Sequence, residues 1–214
     1  MAKRTRKSSK SSKTKKQTSQ TKQSKHDSIL HHHLLIRCEL GTRLLQKDTA
    51  RLQEFLDDIT RDIHMKKLGA TQTFWVDGEH ISQQGITGLN VIETSHIAAH
   101  VWNFPEHRIL HHHQSRALMQ FDIYTCARLT NQQIIAALEH LSQFTPTHAT
   151  ITLLNRKWSL TIDRHMSWTK GDETDTWQGW LEKQKITRHN TPHAAYHATH
   201  HATRQSRKQS RRHP

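Results

Sequence analysis

The chain has 214 residues, which is enough for one domain of ordinary size with an extension at each end. Its formal net charge of +14 comes from the ends, because residues 1–26 and 186–214 hold ten and six Lys and Arg and no Asp or Glu, whereas residues 27–185 hold 16 basic and 18 acidic residues. No stretch approaches the roughly 18 apolar residues of a membrane span, and no apolar segment follows the basic N-terminus, so we predict neither a transmembrane helix nor a signal peptide.

The two ends of the chain are predicted to be disordered basic tails, covering residues 1–28 and 186–214. They consist mostly of Lys, Arg, Ser, Thr, Gln and His, and such segments bury too little apolar surface to offset the entropy lost on ordering. Two interpretations stay open. The tails only keep the protein soluble, or they make electrostatic contact with a polyanion such as RNA, DNA or an anionic lipid surface.

The first predicted elements of the folded part are a strand and a helix. The apolar run Leu34–Leu40 ends at Gly41 and predicts a strand. A helix is predicted to begin at Asp48 or Thr49 and to end before Gly69. Its apolar residues recur at spacings of three and four, which places them on one helical face. These residues are Leu52, Phe55, Leu56, Ile59 and Ile63.

Five more strands and a second helix are predicted downstream. Short apolar runs predict strands at residues 73–76, at two places within 86–102, at 117–124 and at 149–154. Before the last strand, Thr130 and Gln133 have the spacing of a capping box, which begins a helix. Pro146 prevents that helix from continuing. Its apolar face consists of Ile134, Ile135, Leu138 and Leu141.

The order of these elements predicts an α+β fold. It runs strand, helix, four strands, helix, strand. Because four strands follow one another without crossover helices, we expect an antiparallel sheet with the helices packed on one face, which is a two-layer sandwich. This domain is predicted to span residues 29–158. Residues 159–185 hold three tryptophans among charged residues and are predicted to form an appendage, for which a small helical unit packed on the domain is one interpretation.

The cysteines and histidines predict neither a disulfide framework nor a metal site. The two cysteines, Cys38 and Cys126, indicate a reducing cytoplasm, where each is either core filler or a reactive thiol. Two runs of three histidines occupy residues 31–33 and 111–113. Consecutive residues of an extended chain point in different directions, whereas zinc needs three or four convergent ligands, so we predict no metal.

The segment from Gly85 to Trp102 holds polar residues at defined spacings. It reads GITGLNVIETSHIAAHVW, in which Ser95 stands eight residues after Thr87 and five before His100. Downstream, residues 121–126 read FDIYTC and end at Cys126. Serine, histidine and cysteine are the side chains that proteins use for nucleophilic attack and proton transfer.

This pattern resembles the self-processing segment of the bacterial and archaeal S-adenosylmethionine decarboxylases, which depend on a pyruvoyl group. That family has a Gly-aliphatic-Ser/Thr-Gly turn, an apolar strand, Glu-Ser-His-aliphatic and His-x-Trp, followed downstream by Asp-aliphatic-aromatic-Thr-Cys. The resemblance covers roughly residues 33–157. The chain departs from it at Thr94, where the family has Glu, and Glu93 stands one position earlier.

The resemblance implies that the chain cuts itself between Thr94 and Ser95. The Ser95 hydroxyl attacks the carbonyl of Thr94 and forms an ester. β-Elimination then releases residues 1–94, and the dehydroalanine that remains hydrolyses to an N-terminal pyruvoyl group. This self-generated cofactor condenses with the amine of a substrate and acts as an electron sink.

The resemblance also implies roles for three other side chains. Thr87 and His100 assist processing by hydrogen bonding and proton transfer, and Cys126 returns a proton to the substrate carbon after CO2 leaves. The implied function is decarboxylation of S-adenosylmethionine by a homo-oligomer of cleaved chains, which supplies the aminopropyl donor for spermidine synthesis. Two alternatives stay open: the same chemistry on arginine or ornithine, and a non-processing homologue with a regulatory or binding role, which Thr94 favours.

Overall fold

Seven strands and three helices make up the computed structural model, which describes residues 31–157, 159–171 and 176–186. The tails predicted at the two ends lie outside these ranges, except for Ile186. The strands are β1 (His32–Leu40), β2 (Gln72–Val76), β3 (Gly85–Ile92), β4 (Ser95–Trp102), β5 (Ala117–Thr125), β6 (Pro146–Asn155) and β7 (Thr161–Thr169). The helices are α1 (Thr49–Asp62), α2 (Asn131–Glu139) and α3 (Trp177–Ile186).

All seven strands belong to one antiparallel sheet in the order β2-β3-β4-β5-β1-β6-β7. The first strand of the sequence lies in the interior of the sheet, where it pairs with β5 on one side and β6 on the other from His32 to Leu40. β3, β4 and β5 are consecutive neighbours, so the polar motif of the sequence lies on adjacent strands.

Among the residues that the structure describes, the helices cover one face of the sheet and none packs on the other face. Alternate residues of β1 point into the core because side chains of a strand alternate between its faces, and Leu34, Ile36 and Cys38 are almost fully buried. On the helix side, Phe55 of α1 packs edge-on against Phe121 of β5 and Phe144, with ring centroids 5.4 and 5.1 Å apart. The predicted α+β sandwich with helices on one face is confirmed.

The second helix begins as its sequence predicts. The hydroxyl of Thr130 accepts a hydrogen bond from the backbone N–H of Gln133, and the side-chain oxygen of Gln133 accepts one from the N–H of Thr130. This reciprocal pair satisfies two N–H groups that a helix start leaves free. α2 ends at Glu139, a 3-10 segment follows over His140–Phe144, and β6 begins at Pro146.

The segment predicted as an appendage, residues 159–185, contributes two elements. Residues 161–169 add a seventh strand to the edge of the sheet, and the helix is α3. Trp168 of β7 lies edge-on to Trp177 of α3, with ring centroids 5.2 Å apart, and both side chains are buried. Ile162, Met166 and Trp168 stand at alternate positions of β7, but most side chains of this edge strand are exposed or half-buried. Among the described residues, no helix has the length and apolar content needed to cross a bilayer.

The hairpin of β3 and β4 depends on the absence of a side chain at Gly85. A Cβ at this position would lie 1.7 Å from the carbonyl oxygen of Val101 on the paired strand, which is backbone and cannot rotate away. We expect Gly85→Ala to lower the free energy of unfolding by about 1–3 kcal/mol, measured by denaturant titration with tryptophan fluorescence. Gly69→Ala is the matched control, because a Cβ there meets nothing within 4 Å. Equal free energies of unfolding for the two variants would contradict the close approach of Gly85 to Val101.

Candidate functional site

The peptide bond between Thr94 and Ser95 lies at the tip of the β3–β4 hairpin. Ile92 pairs with Ser95, so Glu93 and Thr94 form a two-residue turn. Ser95 has a φ of 152°, in a region that residues other than glycine rarely adopt and that costs on the order of 1–3 kcal/mol. Backbone strain is therefore concentrated at the residue that follows the predicted cleavage bond.

The carbonyl group of Thr94 is held by the end of β5. Its oxygen accepts a hydrogen bond of 3.0 Å from the backbone N–H of Cys126, which polarises the carbonyl carbon. The hydroxyl of Thr94 accepts a hydrogen bond of 3.0 Å from the hydroxyl of Thr125. Glu93 lies apart from this arrangement, since its exposed carboxylate pairs with Lys66 at 3.3 Å. Thr94 thus has its own hydrogen bonds at the position where the family has a glutamate.

The hydroxyl of Ser95 contacts an imidazole to which the sequence pattern assigns no role. Ser95 Oγ lies 3.2 Å from Nδ1 of His96, and Nε2 of the same ring lies 3.5 Å from Oδ2 of Asp122. His96 belongs to the segment 85–102, where it directly follows Ser95, and Asp122 belongs to the segment 121–126. Consecutive residues of a strand point to opposite faces, so a contact between Ser95 and His96 is not expected from the sequence.

Thr87 and His100 form a second polar pair, on the open face of the sheet. They are directly opposite each other on β3 and β4, and Thr87 Oγ1 lies 3.1 Å from His100 Nδ1. His100 stands five residues after Ser95 on the same strand, which separates the two by about 16 Å at a rise of about 3.3 Å per residue. The structure therefore brings Thr87 and His100 together, and keeps both away from Ser95 of the same chain.

The two cysteines have different environments. Cys38 is fully buried in the core, and burial raises the pKa of its thiol far above the usual range. Cys126 is exposed and directly follows β5, beside the Thr94 carbonyl. Of the two interpretations that the sequence leaves open, core filler fits Cys38 and an accessible thiol fits Cys126.

A cavity of about 300 Å³ opens on the uncovered face of the sheet near His100. Its lining combines a cationic side chain, Arg37, with an anionic one, Asp122, and with the amide of Gln120. Hydroxyls of Thr150 and Thr152 lie on the neighbouring strand. Both charged groups already have partners, Glu39 for Arg37 and His33 for Asp122, and the lining also includes the apolar side chain of Leu35.

A family model described as S-adenosylmethionine decarboxylase matches residues 33–157, more than half of the chain. The chain belongs to the S-adenosylmethionine decarboxylase family. The matched segment runs from β1 to the end of β6 and so includes the strained hairpin, the Thr87–His100 pair and Cys126. Membership gives the chain a function of S-adenosylmethionine decarboxylase type and connects it with polyamine biosynthesis. A search of curated proteins found no match to the chain.

A separate cluster of Glu39, His111 and His148 has the composition of a metal site. One potential ligand atom of each residue lies within 4.8 Å of the others. The buried carboxylate of Glu39 already accepts hydrogen bonds from the Arg37 guanidinium at 2.8 Å, from the backbone N–H of His111 at 2.8 Å and from the Ser115 hydroxyl at 2.7 Å. The Arg37 guanidinium thus lies beside this carboxylate, where a metal cation would otherwise bind. We infer that the cluster holds the connection between β4 and β5 against β1.

These hydrogen bonds set the charge of Glu39. Burial alone would raise the pKa of its carboxyl group, but the hydrogen bonds from Arg37, His111 and Ser115 outweigh burial and lower the pKa to about 2. The ordinary value is 4.5. The carboxylate therefore stabilises the fold at pH values above about 4.5, and this contribution is lost as the pH falls toward 2.

We expect Glu39→Gln to remove much of the acid sensitivity of the fold. In the wild type, protonation of this group between pH 4.5 and 2 should cost about 3 kcal/mol of the free energy of unfolding. The variant should be less stable at pH 7 and lose less on acidification, measured by denaturant titration across this range. Glu54→Gln, at an exposed position of α1, should retain the wild-type pH dependence. A Glu39→Gln curve parallel to the wild type would contradict this role.

Proposed function

We propose that the chain cuts itself between Thr94 and Ser95 and that the resulting pyruvoyl group decarboxylates S-adenosylmethionine. The observation that carries this proposal is the geometry at the hairpin tip. A strained Ser95 has its hydroxyl beside an imidazole, and the carbonyl that precedes it accepts a hydrogen bond from the N–H of Cys126. A nucleophile, a proton acceptor and a polarised carbonyl are what an N-to-O acyl shift requires.

The chemistry of the proposed cleavage follows from these groups. Attack by Ser95 Oγ on the Thr94 carbonyl converts the peptide bond to an ester and frees the nitrogen of Ser95. Loss of the Ser95 α-proton then expels the carboxylate of Thr94 and leaves dehydroalanine, and water converts it to the pyruvoyl group with release of ammonia. The ketone so formed supplies an electron sink for decarboxylation. The residue that would become this cofactor stands at the start of β4, beside the exposed Cys126.

Cleavage at this bond would leave the fold assembled. Residues 1–94 hold β1, β2 and β3, and residues 95–214 hold the other four strands. β1 pairs with β5 and β6 along its length, and β3 pairs with β4. The two chains would thus remain interleaved in one sheet, held by backbone hydrogen bonds and the shared core. The cut strands end at a hairpin tip, where backbone movement costs little packing.

The substrate is proposed to be S-adenosylmethionine, with spermidine synthesis as the use of its product. The family supports this substrate class, and the open face of the sheet offers a cavity of about 300 Å³ beside His100. Cys126 is proposed to return a proton to the substrate carbon, since its thiol is exposed next to the cleavage site. The same chemistry would decarboxylate arginine or ornithine if the pocket accommodated either of these amino acids instead.

The separation of His100 from Ser95 supports a homo-oligomer. If the Thr87–His100 pair acts on Ser95, it cannot do so within one chain, because about 16 Å of strand lies between them. A second copy packed against the open face of the sheet could place its pair beside Ser95 of the first. The open face has no helix over it among the described residues, and it holds the cavity, His96 and His100.

The charges of the tails bear on the proposed contact with polyanions. The segments 1–26 and 186–214 hold only basic formal charges, while the middle is near neutral. We propose that these segments contact polyanions such as nucleic acid, and that the protein acts in the cytoplasm. Such contact would weaken steeply with salt, because each neutralised phosphate releases counterions.

The proposal predicts two chains and a matching activity. Purified protein should give chains of residues 1–94 and 95–214 on a denaturing gel and by mass spectrometry, the second with a blocked N-terminus. The two should stay together under native conditions. Ser95→Ala should remain one chain and release no CO2 from S-adenosylmethionine, whereas the wild type should. A folded wild type that remains one chain would favour the non-processing alternative, and CO2 release from arginine or ornithine alone would reassign the substrate.

The homo-oligomer predicts complementation between two inactive variants. We expect His100→Ala alone to process slowly, because its partner copy also lacks the imidazole. Co-expression with Ser95→Ala should restore cleavage of the His100→Ala chain, since Ser95→Ala supplies an intact His100 in trans. Differently tagged chains on a denaturing gel report which one is cut. If the His100→Ala chain stays uncut in co-purified hetero-oligomers, His100 of one copy does not assist cleavage of the other copy.

A further inference from the structure

We propose that His96 is the general base that activates Ser95 for self-cleavage, and that Asp122 positions this imidazole. The assignment rests on the self-cleavage proposed above and names the residues that carry its first step. The three side chains form a continuous series, with Ser95 Oγ 3.2 Å from His96 Nδ1 and His96 Nε2 3.5 Å from Asp122 Oδ2. Their order is nucleophile, base and orienting carboxylate.

The carboxylate decides which nitrogen of His96 is free to accept a proton. A neutral imidazole carries its hydrogen on one nitrogen and a lone pair on the other. A carboxylate beside Nε2 favours the tautomer with the hydrogen on that nitrogen. Nδ1 of His96 is then left with its lone pair toward Ser95 Oγ. A contact of 3.5 Å is long, but catalytic hydrogen bonds often tighten only as the reaction proceeds.

Asp122 is itself oriented from its other side. The same oxygen, Oδ2, lies 3.0 Å from Nε2 of His33. Nδ1 of His33 lies 3.2 Å from the Arg156 guanidinium, which can only donate, so His33 carries its hydrogen on Nε2 and donates it to Asp122. The carboxylate therefore accepts from His33 and faces the N–H of His96, and its charge is fixed in place between two imidazoles.

The unusual backbone of Ser95 is what makes the series possible. In a regular strand, Ser95 and His96 would point to opposite faces of the sheet. The φ of 152° departs from the regular strand and places Oγ within reach of the adjacent imidazole. His96 lies opposite Tyr124, with the rings edge-on and 5.8 Å between centroids, which limits its rotation. The strained conformation thus aligns the nucleophile with its base.

The proposed step balances as a peptide-to-ester exchange. The Ser95 hydroxyl gives its proton to His96 Nδ1 while Oγ forms a bond to the Thr94 carbonyl carbon. The carbonyl electron pair moves to the oxygen, which the Cys126 N–H stabilises. Collapse of this intermediate breaks the C–N bond, and the proton on His96 passes to the nitrogen of Ser95. The products are an ester and a free amine, and His96 returns to its starting state.

The test measures cleavage of the full-length chain after cell-free synthesis, with and without hydroxylamine, which attacks esters. We expect His96→Gln to slow cleavage by about 10²-fold or more and to gain nothing from hydroxylamine, because no ester accumulates. Asp122→Asn should slow ester formation by about tenfold or more, and Asp122→Glu should recover part of the rate. Added imidazole should restore cleavage in His96→Gly, which a purely structural role would not allow.

The matched control is His165→Gln, which alters a histidine on β7 paired with Thr152 and outside this series. It should cleave at the wild-type rate. Wild-type-like cleavage of folded His96→Gln, or an accumulated ester that hydroxylamine cuts, would overturn His96 as the base for attack while leaving self-cleavage intact. A wild-type chain that does not cleave would instead overturn the proposed function, and this inference with it.

Discussion

The pairing of β4 with both of its neighbours is the constraint on which the site depends. It fixes Ser95 opposite Ile92 on β3 and opposite Thr125 on β5. The first pairing makes a two-residue turn that ends at the strained serine, and the second brings the Cys126 N–H to the Thr94 carbonyl. A register slip of one residue would turn every β4 side chain to the other face of the sheet, so the buried side chains of β4 hold the reactive geometry in place.

The apolar core and the polar candidate residues lie mainly on opposite faces of the sheet. The helix-covered face holds the aromatic contacts of Phe55 and the aliphatic residues of the core. The open face carries His96, His100, Asp122 and Arg37, and the cavity lies among them. Polar groups of this kind are costly to bury without partners, which is why they collect where no helix packs.

The position of β1 would let the chain keep its fold after the proposed cleavage near its middle. It enters the sheet between β5 and β6, both of which follow the proposed cleavage site in the sequence. Its buried residues Leu34, Ile36 and Cys38 contribute to one continuous core. The bond proposed to break joins two strands at a turn, where the strain of Ser95 is stored and few side chains are packed. The two chains that the proposed cleavage gives would therefore share one sheet.

Local patterns in the sequence determine most of the elements and the chemical residue types. The apolar face from Leu52 to Ile63, the Thr130 cap and the runs of β1 to β6 are each encoded within a few residues, because periodicity and capping are local. The spacing of Thr87, Ser95, His100 and Cys126 identifies the family in the same way. The tertiary structure alone decides the rest. It adds β7 to the edge of the sheet, buries Cys38 while exposing Cys126, separates His100 from Ser95 and places Asp122 beside His96. These outcomes depend on which strands pair and in what register, and contacts between residues far apart in the chain leave no mark in a local pattern.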